Sequence, residues 1–334
     1  MLKKFKNGLC LMKAMPPTLG HLYLIDSAAE QCETTHVMIC SDNTQPIDGA
    51  LRYKWLCEIY ADKPNINIIW CQDVNPQYPS ECDSLDEFYN KYWVPSVYSR
   101  IKELDVVFTS EDYGDEFARY LGIKHVSIDQ QRQHVPVSGT AVRNDAFSNW
   151  DYIPQVVRSY YTKKVVIIGP ESTGKSTLTK KLAEHFDTHY VEEYGRTFTE
   201  IHGTKDLSQE DFDHIAIHHA EDIKKGLSHG YKLLFIDTEA IVTAVFGEMY
   251  LENYNNTIVN QIIANQTFDL YLLTDVDIPW VDDGTRDFPN ARQTHFNRLK
   301  EELDNRKLPY VIINGNYDER FDKAVKEVEK LGYL

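Results

Sequence analysis

Nine residues near the middle of this 334-residue chain, GPESTGKST at 169–177, directly follow the apolar run VVII at 165–168. They fit G-x-x-x-x-G-K-S in full. Glycines let backbone N–H groups approach a phosphate, and the helix that follows presents its positive N-terminus to the anion. An apolar strand before the motif and the helix-like LTKKLAEHF after it supply the context that the loop needs. A nucleotide-binding P-loop is therefore expected, with Gly169, Ser172, Thr173, Gly174, Ser176 and Thr177 around the phosphates. Lys175 reaches the outer phosphates and the Ser176 hydroxyl faces a magnesium ion.

The length suits two domains, each large enough for its own core. The formal net charge is −16 and the excess of acid holds in both halves, so the basic stripe of a nucleic-acid binder is missing. In so acidic a chain, phosphate chemistry falls to a few placed cations. All six cysteines lie in the first 82 residues without a C-x-x-C pair, which argues against zinc. Cys10, Cys40 and Cys71 fall in or beside strand-like runs and read as reduced core residues rather than disulfides. Lys13 interrupts the apolar run that follows Lys3, Lys4 and Lys6, and no stretch approaches the roughly 20 apolar residues of a membrane span. A cytoplasmic protein without a membrane partner is expected.

In the first half, GLCLMKA, HVMIC, INIIW, DVVFT and KHVSI read as strands. Between them come helical patterns at about 19–31, 50–60, 85–104 and 115–121. Strands alternating with helices imply right-handed βαβ units and a parallel sheet. The chemistry gathers at the end of the first strand, in KAMPPTLGH at 13–21. Thr18, Gly20 and His21 place a hydroxyl and an imidazole at a helix start, where a triphosphate is favoured. PVSGTAVRND at 136–145 follows the last strand, and its Ser138, Thr140 and Arg143 close on the same phosphates from the other side.

These segments resemble the NadR family. KAMPPTLGHLYLIDSA, TSEDYGDEFARYLG and PVSGTAVRND are similar to its nicotinamide-mononucleotide (NMN) adenylyltransferase half, and the P-loop half follows in the family's order. The resemblance implies a Rossmann-like nucleotidyltransferase domain over 1–160 and a P-loop ribosylnicotinamide kinase domain over 161–334, both α/β. It also implies catalysis by His21 and Thr18 on the phosphates of ATP, with Lys13 and Arg143 as clamps, magnesium on the phosphates and no covalent enzyme intermediate. Most members carry His where Thr18 stands, Gly where Met12 stands and an aromatic residue where Ala14 stands. Trp93 either stacks on a nicotinamide ring or packs helix against sheet. Residues 110–114 line the site.

Beyond a connector interrupted by Pro154, with the domain boundary near residue 160, THYVEEYGR ends a short strand in Glu193 and Arg196. An acid and an arginine beside a P-loop suit a small-molecule kinase, the carboxylate taking the hydroxyl proton. Glu193 is the candidate base, with Glu192 and Asp237 as alternatives. Asp237, ending KLLFID, also fits the magnesium position. Asp277, Trp280, Asp282, Asp283, Gly284, Arg286 and Arg292 match the family's kinase pattern. They read as a lid, with Arg286 on the transferring phosphoryl group, Arg292 on ATP, and Trp280 and Asp277 on the substrate. His214, His218 and His219 read as one partly buried helix face. The expected protein makes NMN from nicotinamide riboside and NAD from NMN, with ATP as co-substrate of both steps, and binds no nucleic acid. The alternatives are a kinase joined to an inactive N-terminal binding domain, or a regulatory P-loop protein. Only seven residues precede Gly8, which leaves no room for a helix-turn-helix; a homo-oligomer stays open.

Overall fold

The computed structural model describes residues 4–203, 207–281 and 291–333. The chain divides into two compact units, Met1–Val157 and Arg158–Leu334. A proline-preceded helix, Gln155–Tyr161, spans the division.

In the first unit five parallel strands, β1 (Phe5–Met12), β2 (Cys32–Cys40), β3 (Ile66–Cys71), β4 (Val106–Thr109) and β5 (Lys124–Ser127), lie in the order β3-β2-β1-β4-β5. All four residues of β4 are buried, as expected of a parallel strand covered on both faces. One face packs Cys10, Ile25, Ala28 and Phe108 beneath the helix Leu19–Gln31. The other packs Leu9, Met38, Phe88, Trp93 and Phe117. The strand order reverses direction at β1, and the crevice between the carboxyl ends of β1 and β4 is where open α/β sheets take ligands.

The helical pattern expected over 85–104 is realised differently. A π-helical segment, Glu87–Trp93, runs into a short α-helix, Val94–Tyr98, and the chain then turns away. Val94 N–H bonds to the Tyr89 carbonyl, five residues back. Pro95 has no N–H to offer the helical ladder, which accounts for the widened turn before it.

In the second unit β6 (Lys163–Ile168), β7 (His189–Val191), β8 (Leu233–Asp237), β9 (Leu270–Thr274) and β10 (Tyr310–Ile313) are again all parallel, in the order β10-β9-β6-β8-β7. The wholly buried β8 and β9 flank the central β6, so residues 169–177, Asp237 and Thr274 meet at one carboxyl edge.

Candidate active sites

In the first unit, Thr18 has extended backbone and caps the helix that carries Gly20 and His21. Its N–H donates to His21 Nδ1 at 3.1 Å, and its Oγ1 lies 2.8 Å from the same nitrogen. A nitrogen that accepts an amide proton is itself unprotonated, so the ring proton sits on Nε2. Burial, and secondarily the charge of Arg132, lower the His21 pKa to about 4. The imidazole is thus a neutral donor at neutral pH.

The SGTAVR segment forms the helix Gly139–Asn144, capped by Ser138 Oγ, which accepts from Ala141 N–H at 3.0 Å. Arg143 donates to the Met15 carbonyl and, at 2.9 Å, to Thr140 Oγ1. A Cβ on Gly139 would lie 2.8 Å from the Met15 oxygen, so the close approach of the two segments requires glycine there. A Cβ on Gly20 would lie 3.6 Å from the Val137 carbonyl oxygen. Thr18, Gly20, His21, Ser138, Thr140 and Arg143 are therefore brought together. Lys13 Nζ instead lies 5.4 Å from the centroid of the exposed Tyr78 ring. Trp93 is 7% exposed, and its indole N–H donates to the Pro76 carbonyl. Of the two readings at this position the structure realises packing, because Phe88 and the sheet enclose the ring.

In the second unit the loop from β6 to the helix Lys175–His185 holds Gly169 at φ 152° and Gly174 at φ 79°. A Cβ on Gly169 would clash with Thr274 Oγ1, so the loop lies directly on the end of β9. Thr173 Oγ1 donates to the Pro170 carbonyl and contacts Thr274 Oγ1, each at 2.7 Å. Lys175 Nζ, buried, donates to the Pro170 carbonyl at 3.1 Å. Asp237 is 3% exposed, and burial followed by the charge of Glu193 raises its pKa to about 7, against the opposing pull of Lys175, Ser176 and Arg196. The nearby Ser176 hydroxyl opposes that rise, and Asp237 Oδ1 is buried without a partner. An orphaned carboxylate oxygen beside a serine hydroxyl is a donor set that suits a hard cation.

A cleft of about 120 Å³ opens at this edge. Lys175, Glu193 and Arg196 line its charged end; Phe212, Ile215, Val242, Phe246 and Tyr250 line its apolar end. Glu193 sits just before the helix Tyr194–His202 and faces the cleft. Its neighbour Glu192 is exposed, is ion-paired with Lys180 at 3.0 Å, and does not line the cleft. Arg292 donates to the Ile278 and Ser172 carbonyls at 3.0 and 3.1 Å and lies 5.8 Å from the Trp280 ring centroid. It braces the P-loop from the side. Asp277 accepts from Gly315 N–H and pairs with Arg320. In this arrangement its carboxylate braces the Gly315 turn and Arg320, where a contact with substrate was expected. Asp282, Asp283, Gly284 and Arg286 lie outside the described residues. His219 is buried with Nε2 3.0 Å from the Thr238 carbonyl, while His214 and His218 pack with Tyr194. Among the described residues no His, Cys, Asp and Glu group is arranged for a metal cluster, and no helix is long and apolar enough to cross a membrane.

Two arginines that the sequence reading passed over hold these sites together. Arg320 donates to the Thr173, Gly315 and Asp275 carbonyls at 2.8, 2.8 and 3.0 Å. Arg52 is fully buried against the carbonyl of Lys13. Each stands in a charged helical stretch where an arginine reads as solvated, and only its carbonyl partners, distant in sequence, reveal it.

A family model described as citrate lyase ligase C-terminal domain matches residues 7–74, and one described as AAA domain matches residues 164–320. The chain is 31% identical to the trifunctional NAD biosynthesis/regulator protein NadR of Escherichia coli strain K12, over 97% of this chain and 83% of that protein. Its Salmonella typhimurium LT2 counterpart is 30% identical, over 98% and 84%. Among solved structures, a NadR protein in complex with NR superposes with a TM-score of 0.85 at 21% identity, covering 99% of this chain and 97% of that one. One in complex with NAD and AMP-PNP gives 0.80 at 20%, covering 100% and 98%.

Proposed function

Because this chain belongs to the NadR family, we propose that it is a bifunctional enzyme of NAD synthesis: its second unit phosphorylates nicotinamide riboside to NMN, and its first transfers AMP from ATP to NMN, releasing pyrophosphate. The observation that carries the reading is the pairing, on one chain, of a P-loop cleft holding Lys175, Glu193 and Arg196 with a carboxyl-edge site joining Thr18, His21 and Arg143.

In the first unit a phosphate oxygen of NMN attacks the α-phosphorus of ATP directly. Thr18 keeps His21 Nε2–H aimed outward as a donor to the developing negative charge, Arg143 and Thr140 supply further donors, and Lys13 leaves the Tyr78 ring to join them. No group on the protein is adenylylated. In the second unit Glu193 accepts the proton of the riboside hydroxyl as that oxygen attacks the γ-phosphorus. Lys175 leaves the Pro170 carbonyl for the outer phosphates, and Arg196 faces the transferring group. The apolar end of the cleft takes the flat nicotinamide ring. Ser176 and Asp237 would hold magnesium, which supplies charge neutralisation on the phosphates.

Incubation with riboside, and separately with NMN, each with Mg-ATP, followed by chromatography of the products, tests both halves. NMN and then NAD are expected from riboside, and NAD and pyrophosphate from NMN. Conversion of riboside with no product from NMN would reduce the chain to a kinase with an inactive first unit.

A further inference from the structure

Among the described residues Arg52 is the largest fully buried side chain, at 0% exposure, on the helix Gly49–Ile59. Among the described residues no carboxylate lies within ion-pair distance of it. Its nearest acids are committed elsewhere, Asp48 to the helix start at Ala50 and Leu51, Asp42 to Thr44. The guanidinium is spent instead on three backbone carbonyls and one side-chain amide. Nη1 donates to the Lys13 carbonyl at 2.6 Å and lies 3.5 Å from the Cys40 carbonyl; Nη2 donates to Gln45 Oε1 and Nε to the Asp48 carbonyl at 3.3 Å.

The placement matters because the β1–β2 ladder ends at the pair Met12 and Ile39. Lys13 and Cys40 are the first residues past it, where the two strands part. A buried cation that bridges their carbonyls replaces the missing ladder and holds the splayed ends together. Two residues on, Arg143 grips the Met15 carbonyl from the helix Gly139–Asn144. The segment that delivers Thr18 and His21 is thus held at residue 13 from one side and residue 15 from the other. A buried charge left without a carboxylate is expensive in a structural core and is better accommodated beside a polyanion.

We infer that Arg52 is a positioning residue for adenylyl transfer, fixing the backbone of residues 13–15 so that Thr18 and His21 meet the triphosphate. This rests on the adenylyltransferase reading of the first unit. A misplacement of about 1 Å in such a site costs about 100-fold in rate.

The test uses the full chain with Arg52→Met, which keeps length without donors, and Arg52→Lys, whose ammonium reaches one carbonyl. NAD formation from NMN and ATP is followed alongside riboside phosphorylation and hydrogen exchange. For Arg52→Met, kcat for NAD formation is expected to fall about 100-fold with KM for NMN changed less than about 3-fold. Exchange is expected to rise only at the amides of residues 13–15 and 41–48, and riboside phosphorylation to stay as in the unsubstituted chain. Arg52→Lys is expected to recover about 10-fold of the loss. An Arg52→Met variant as active as the unsubstituted chain would overturn the inference. So would loss of exchange protection throughout β1–β4 without recovery by lysine, which would make Arg52 an ordinary core stabiliser. Absence of NAD formation by the unsubstituted chain would instead overturn the adenylyltransferase reading itself.

Discussion

At His21 the hydrogen bond from Thr18 N–H fixes which nitrogen carries the proton, and burial keeps the ring neutral. Its folded pKa of about 4 lies below the ordinary 6.5. Between those values the unfolded chain binds a proton that the folded chain does not, so stability falls as pH falls from 6.5 towards 4 and levels off below. His21→Gln should remove roughly 2 kcal/mol of that acid-side loss. Comparing urea midpoints of the two proteins at pH 7 and pH 4.5 measures it; equal losses would mean that the ring titrates normally. A bound polyphosphate works in the opposite direction, since negative charge beside the ring favours its cation. Thr18 and His21 were legible in the sequence because residues three apart at a helix start meet by local geometry alone. Asp277 was not, because its partner Arg320 is 43 residues away.

Among the elements, the helix Tyr317–Glu329 has the least obvious part in the chemistry, yet its Arg320 ties the P-loop at Thr173 to the end of β9 and to Gly315. Arg320→Met would take the guanidinium from three carbonyls and leave the Asp277 carboxylate with the Gly315 N–H alone. The second unit should lose about 3 kcal/mol, read from denaturant unfolding, and kcat/KM for riboside phosphorylation should fall at least about 10-fold. Unchanged ATP dependence in a folded variant would show that the loop holds its shape unaided. Helices whose boundaries rest on caps and apolar spacing agree closely with the sequence reading, as at Leu19–Gln31 and Gly49–Ile59. The stretch over 85–104 does not, because apolar spacing says little about how a proline widens the turn before it.

At the scale of the molecule, the two five-stranded parallel sheets of the described residues, each with its own core, imply two sites that fail separately. Lys175→Ala should reduce riboside phosphorylation by at least about 1,000-fold and leave NAD formation from NMN unchanged, and His21→Ala should do the reverse. Product chromatography with each substrate measures both, and a loss of both activities in either variant would contradict independent sites. The sequence by itself determined the α/β class, the strand sites, the P-loop and the T-x-G-H and SGTAVR segments, because each is a pattern of near neighbours that dihedral preference and helix N-terminal electrostatics make readable. Tertiary structure alone decided that Trp93 is core, that Glu193 rather than Glu192 faces the cleft, and that Arg52 and Arg320 grip backbone. Those roles depend on which distant carbonyls and carboxylates the folded sheets bring within hydrogen-bond reach, and no local pattern encodes that.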